Sequence, residues 1–259
     1  MIKKYFKLPI SSQAKRQLTL QTKVGSMSKT ALSEHFHKYW LRTKYDNNKG
    51  NAAFGITALL LLQGAITLPA QAANASKPGQ RVLMIEMTPA LCSLQPTRAR
   101  MRQCLEGYSL TVSGLDMGYG ERCGRGSEPR LTPLQLKVVN RIMPDTTVRT
   151  QAWQRYGACS PLSPSSYFRQ ITNYAGDLKL PNELNTGNSY TVLKSRFVGQ
   201  MTRLNNGMSA NSVDLICQVG TRRQMVLTDV HVCYEGSSFG TCSNVVDNCG
   251  SKFIISGGK

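Results

Sequence analysis

The stretch Gln151-Ala152-Trp153-Gln154-Arg155-Tyr156-Gly157-Ala158-Cys159, followed closely by Ser163-Pro164-Ser165-Ser166-Tyr167-Phe168, decides how this chain is read. Ser163-Pro164 is a helix start, because serine caps free backbone N–H groups and proline suits the first turn. Tyr167, Phe168, Ile171 and Tyr174 follow at helical spacing, and Gly176 closes the segment. Thr132-Pro133 carries the same start signal upstream. Leu134, Val138, Val139 and Ile142 give its apolar stripe, and Pro144 ends it.

Strands flank this helical middle on both sides. Arg81–Met87 reads as a buried strand bounded by Pro89. Tyr108–Leu115 reads as a second, with Leu110 and Val112 on one face and Thr111 and Ser113 on the other. Gly118 to Arg130, rich in glycine and charge, reads as a loop. Thr191–Met201 is expected to form a third helix, and Val213–Val219, Met225–Tyr234 and Lys252–Ile255 to form strands. Helices in the middle and strands at both ends predict an α+β fold with a central antiparallel or mixed sheet.

The N-terminal part has another character. Residues 1–72 hold 11 Lys/Arg and 2 Asp/Glu, and no charged residue occurs from Gly50 to Ser76. Phe54–Leu68 is an apolar core, Lys44 and Lys49 precede it, and Pro69 leads into Ala70-Gln71-Ala72. A basic segment, an apolar core and a small-residue end describe a secretory signal peptide. The competing reading is an uncleaved anchor, since the run approaches the ~17–25 residues that span a bilayer. Pro69, just before the small-residue site, favours cleavage. The expected division is therefore a leader over 1–72, starting at Met1 or Met27, and a body over 73–259 outside the cytoplasm, periplasmic or secreted.

All eight cysteines follow the leader: Cys92, Cys104, Cys123, Cys159, Cys217, Cys233, Cys242 and Cys249. An even count in an exported chain predicts four disulfides, with the pairing open. There is no C-x-x-C pair, and His231 is the one histidine beyond the leader, so a structural zinc site is not expected. No cofactor is implied. The body carries 21 Lys/Arg against 12 Asp/Glu. That excess fits an anionic partner and ordinary solubility equally well.

Two blocks resemble the signatures of the T2 family of ribonucleases. The first is Leu110-Thr111-Val112-Ser113-Gly114-Leu115-Asp116-Met117, against a family pattern Phe-Thr-x-His-Gly-Leu-Trp-Pro. The second is the opening stretch, against His-Glu-Trp-x-Lys-His-Gly-Thr-Cys and a Pro-x-x-Tyr-Phe helix start. Leu227–Cys233 and Asn248–Ile255 resemble the strands near the C-terminus of bacterial members. The resemblance spans nearly all of residues 80–259. It implies a central sheet with packed helices, and the pairings Cys92–Cys104, Cys123–Cys159, Cys217–Cys249 and Cys233–Cys242.

The family cleaves RNA by internal phosphoryl transfer, with histidines from the two blocks moving the protons. The matching positions here are Ser113 and Tyr156; a further block histidine falls at Gln151 and the block glutamate at Ala152. Serine has no useful basicity near neutrality, tyrosine is a poor base and weak acid there, and alanine has no polar side-chain atom. Loss of one proton-transfer group typically costs ~10²–10⁴-fold, so little activity is expected. His231 reads as a strand residue near the disulfides rather than a relocated catalytic group.

Arg155 in place of the family lysine keeps a cation for phosphate. Trp153 and Tyr156 offer rings of the kind that single-stranded RNA stacks on. The competing reading makes Trp153 core and Arg155 a surface charge, and Asp116, in place of the family tryptophan, would repel phosphate. The expectation is an exported, non-catalytic protein that binds RNA or another polyanion. The alternatives are a weak endoribonuclease with non-standard groups, or an extracytoplasmic protein-interaction module.

Overall fold

The computed structural model describes residues 79–120, 128–185, 187–243 and 247–258. The expected leader with its apolar core, and Cys123, lie outside the described residues.

The element order is β1 (Gln80–Met87), α1 (Thr88–Leu94), α2 (Arg102–Leu105), β2 (Leu110–Asp116), α3 (Pro133–Val139), α4 (Thr146–Arg155), α5 (Pro164–Asp177), β3 (Tyr190–Leu193), α6 (Lys194–Leu204), β4 (Val213–Val219), β5 (Met225–Glu235), β6 (Ser238–Phe239) and β7 (Lys252–Ile255). The strands form one seven-stranded sheet in the order β2-β1-β5-β7-β3, with β4 and β6 also paired to β5. The β5–β7 pairing is parallel and the others antiparallel, so the sheet is mixed. β5 is its centre. Leu227, Thr228, Val230, Val232 and Cys233 are all fully buried, as expected for a strand covered on both faces.

The two proline-led helix starts are as read from the sequence. Thr132 and Gln135 form a capping box at α3, and the Ser163 side chain accepts from Ser166 N–H at α5. Tyr167, Phe168 and Ile171 of α5 are buried. Two readings need correction. Thr191–Met201 is not one helix: Tyr190–Leu193 pairs with β7 and only then does α6 begin. The β-branched pair Thr191-Val192 suits that short strand, with Val192 buried. The stripe of α3 turns out differently, since Val139 and Ile142 are buried but Leu134 and Val138 are exposed. After β1, α1 begins at Thr88, with Pro89 in its first turn.

Disulfides join Cys92 to Cys104, Cys217 to Cys249 and Cys233 to Cys242. Cys159 is also disulfide-bonded. Its expected partner, Cys123, is outside the described residues. Among the described residues, no helix is long and apolar enough to cross a membrane, and no cluster of His, Cys, Asp or Glu could hold a metal ion.

Candidate functional site

The first residues of the opening stretch, Gln151–Arg155, form the C-terminal half of the helix α4, which the apolar pattern did not announce. Of its ten residues only Val148, Arg149 and Ala152 are buried, so the usual stripe is missing. Polar groups build it instead. Asp145 caps it by accepting from Thr147 N–H at 2.8 Å and Val148 N–H at 3.4 Å. The buried Arg149 side chain donates to Met143 O, Pro144 O, Asn140 Oδ1 and Thr146 Oγ1, satisfying the turn that feeds the helix. The Tyr167 hydroxyl lies 3.2 Å or less from Leu115 N, Leu115 O and Ala152 O, pinning α4 and α5 to β2.

β2 contributes Ser113 through an irregularity. Met84 pairs with Gly114 and Ile85 with Val112, so Ser113 is an extra residue with no partner across the ladder. This is a β-bulge, a device that re-aims side chains beside functional sites. Gly114 next to it lets the Tyr156 ring lie against the strand: a Cβ there would come within 3.3 Å of that ring.

These pieces converge on a cavity of about 210 Å³ lined by Ser113, Gln151, Ala152, Arg155 and Tyr156 from the two sequence blocks. Met84, Glu86, Arg98, Val148, Asp229 and His231 complete it. All five positions singled out in sequence for proton transfer or phosphate binding thus meet in one cavity. Trp153 does not join them. It packs edge-on against Tyr167 at 5.8 Å between centroids, and a Cβ on Gly157 would be 2.3 Å from its ring. Asp116 is also absent from the lining; its carboxylate accepts from Gly118 N–H at 2.8 Å and shapes the turn after β2. The repulsive carboxylate read at this position is therefore outside the cavity.

Sequence reasoning missed the polar groups on β1 and β5. Register brings them here: Glu86 pairs with Asp229 and Met84 with His231, so Asp229 and His231 share a sheet face two residues apart. Glu86 is held by Arg98 at 2.6 Å and accepts from Thr111 Oγ1 at 3.4 Å. Burial, aided by the Glu86 carboxylate, pushes the Asp229 carboxyl up to about 6. Burial pushes the His231 imidazole down to about 4, and its Nδ1 has no hydrogen-bond partner. A charged residue on a strand otherwise rich in valine, as in Val226-Leu227-Thr228-Asp229-Val230-His231-Val232, was the available signal.

Chemically the cavity has a guanidinium at its mouth, since Arg155 is exposed and lies 5.8 Å from the Tyr156 ring centre. A second guanidinium, Arg98, is committed to Glu86. Deeper lie an imidazole that is neutral above about pH 4 and a carboxyl that is partly protonated near pH 6.

The sequence matches no protein-family model and no curated protein. Solved structures do resemble the fold. A variant of RNase MC1 in complex with 5′-UMP aligns with a TM-score of 0.53 at 17% identity, covering 68% of this chain and 98% of that one. RNase NT in complex with 5′-AMP gives 0.53 at 16% identity, with 70% and 98% covered. The self-incompatibility-associated SF11-RNase of Nicotiana alata gives 0.52 at 15% identity, with 66% and 94% covered. With its mixed sheet and packed helices, this chain has the α+β fold of the T2-type ribonucleases.

Proposed function

We propose that residues 1–72 are a leader removed on export, and that 73–259 is a periplasmic or secreted body that binds RNA or another polyanion without cutting it. The observation that carries this reading is the meeting of Ser113, Gln151, Ala152 and Tyr156 in one cavity. They stand where the family's proton-transfer groups are expected, and none can serve as a base near neutral pH. Arg155 at the mouth, on a body with excess Lys/Arg, supplies attraction for phosphates. The three described disulfides support an oxidising compartment.

The test measures cleavage and binding of single-stranded RNA together, on purified mature protein. Negligible cleavage from pH 5 to 8, with binding that weakens steeply with salt and on Arg155→Ala, is the expected result. Enzyme-like turnover abolished by Tyr156→Phe or Ser113→Ala overturns it. Absence of RNA binding leaves the protein-interaction reading instead. In the same preparation, N-terminal sequencing should find a start near Ala73; an intact leader overturns the cleavage assignment.

One observation favours a second reading, a slow endoribonuclease: His231 and Asp229 line the same cavity. A histidine pushed down to about 4 can accept a proton throughout the neutral range but has little driving force to do so. Cleavage between pH 4 and 6 that His231→Gln removes would establish this reading.

A further inference from the structure

A second cavity lies across the sheet from the first. Arg81 of β1 pairs directly with Tyr234 of β5, while Met84 pairs with His231. Three residues separate each pair from the other, so Arg81 and Tyr234 belong to the opposite face from Met84 and His231. This cavity measures about 430 Å³, within the ~300–1,000 Å³ typical of small-molecule sites.

Its charge is unbalanced. Arg81 and Lys179 line it against a single carboxylate, Asp177. Among the described residues, neither cation forms an ion pair with Asp177 or with any other acid. Asp177 is the last residue of α5, where the negative end of the helix dipole disfavours a carboxylate.

The Arg81 guanidinium is held with one edge left over. Its Nη1 donates to Tyr174 Oη at 2.6 Å and to Gly236 O at 2.8 Å. Tyr174 Oη donates in turn to Gly236 O at 2.6 Å. The Arg81 Nε and Nη2 groups have no partner among the described residues, and neither nitrogen is buried. Nε–H and one Nη2–H run side by side, the arrangement that grips two oxygens of a carboxylate or phosphate at once. Lys179 is anchored through its backbone: Asn205 accepts from Lys179 N–H and donates to Lys179 O, both at 2.8 Å.

Beside the cations the wall is apolar. Tyr174, Phe239 and Leu204 line it, and all three keep accessible surface. The buried Tyr234 ring supports the other two rings, 4.4 Å from Tyr174 and stacked 5.1 Å from Phe239. A bare inorganic anion would leave this apolar surface uncovered, so the matching occupant has a flat apolar body beside its charge. We propose that this cavity binds a small organic oxyanion, a carboxylate or phosphate ester on a flat apolar body. Its oxygens meet the Nε–Nη2 edge of Arg81, and its body lies along Tyr174 and Phe239. The site is independent of the RNA reading, since it shares no lining residue with the first cavity.

The experiment is calorimetric titration of the purified protein with naphthoate and naphthyl phosphate, against naphthol and inorganic phosphate. At least one of the two organic anions should bind about tenfold or more tightly than both controls, and the tighter of the two tells a carboxylate from a phosphate source. Arg81→Lys keeps the charge but loses the paired edge, and should weaken binding by about tenfold. Lys179→Gln, at an exposed position, should weaken it less and leave Tm unchanged. Asp177→Asn removes the opposing charge and should tighten binding severalfold, a gain that misfolding cannot mimic. Naphthol or inorganic phosphate binding as well as the organic anions, affinity indifferent to all three substitutions, or binding lost on Arg155→Ala but kept on Arg81→Lys overturns the proposal.

Discussion

The same two strands, β1 and β5, carry opposite chemistries on their two faces. One face presents Leu83, Ile85, Val230 and Val232, each at most 1% exposed. The other presents Met84, Glu86, Asp229 and His231, which line the cavity beneath α4. The first face holds the fold together. The second bears buried polar groups that cost desolvation and are retained beside a cavity. The contrast teaches that one pair of strands can separate packing from polar chemistry by side-chain alternation alone.

That contrast can be broken most directly by truncation in the packing face and in the cavity lining. Ile85→Ala should destabilise by about 2–5 kcal/mol through lost burial and a cavity. Ser113→Ala and Gln151→Ala should stay within about 0.5 kcal/mol. Chemical denaturation of the three variants checks this; a Ser113→Ala cost equal to that of Ile85→Ala would erase the distinction.

A smaller effect, about 1–3 kcal/mol, is expected from Gly157→Ala, because an added Cβ meets the Trp153 ring. Intrinsic Trp153 fluorescence should shift with it. An unchanged spectrum and unchanged stability would mean that Trp153 is not held as described.

The smallest effect sharpens the polar face by itself. Asp229 holds its proton up to about pH 6 when folded, but releases it lower when unfolded. Its contribution therefore falls as pH rises from about 4 to 6. Asp214, also pushed up to about 6 by burial and by Asp247, adds in the same direction. His231 works the other way: the unfolded chain takes up a proton that the folded imidazole refuses until about pH 4, so stability rises with pH over that window. His231→Gln should make Tm fall more steeply between pH 4 and 7 than in the unmodified protein, and Asp229→Asn should make it less steep. Parallel profiles for all three proteins would contradict the burial of both groups.

How much of this was legible follows from the kind of signal. Thr132-Pro133 and Ser163-Pro164 are local devices, and both helices start where they say. The strand β5 also reads directly from sequence, because β-branched residues stand at every second position from Val226 to Val232. The helix α4 was hidden because it is built by Asp145 and Arg149 rather than by an apolar stripe. Tyr190–Leu193 was absorbed into a helix because its pairing partner, Lys252–Ile255, lies some sixty residues away. The cavity was half legible. Ser113, Gln151, Ala152, Arg155 and Tyr156 came from the block pattern, while Glu86, Asp229 and His231 depend on strand register, a non-local property.

The bulge at Ser113 has a consequence for how such a chain can change over time. Val112 and Leu115 both enter the core although they are three residues apart, which a regular strand would forbid. The extra residue absorbs that phase slip, and it stands outside the alternation on either face. Its side chain is thus uncoupled from the sheet's packing constraints. One side chain there can be exchanged for another without the core registering it, so selection on folding alone leaves this position free to drift. Such a hinge of register lets a scaffold vary one point of a cavity wall and still fold.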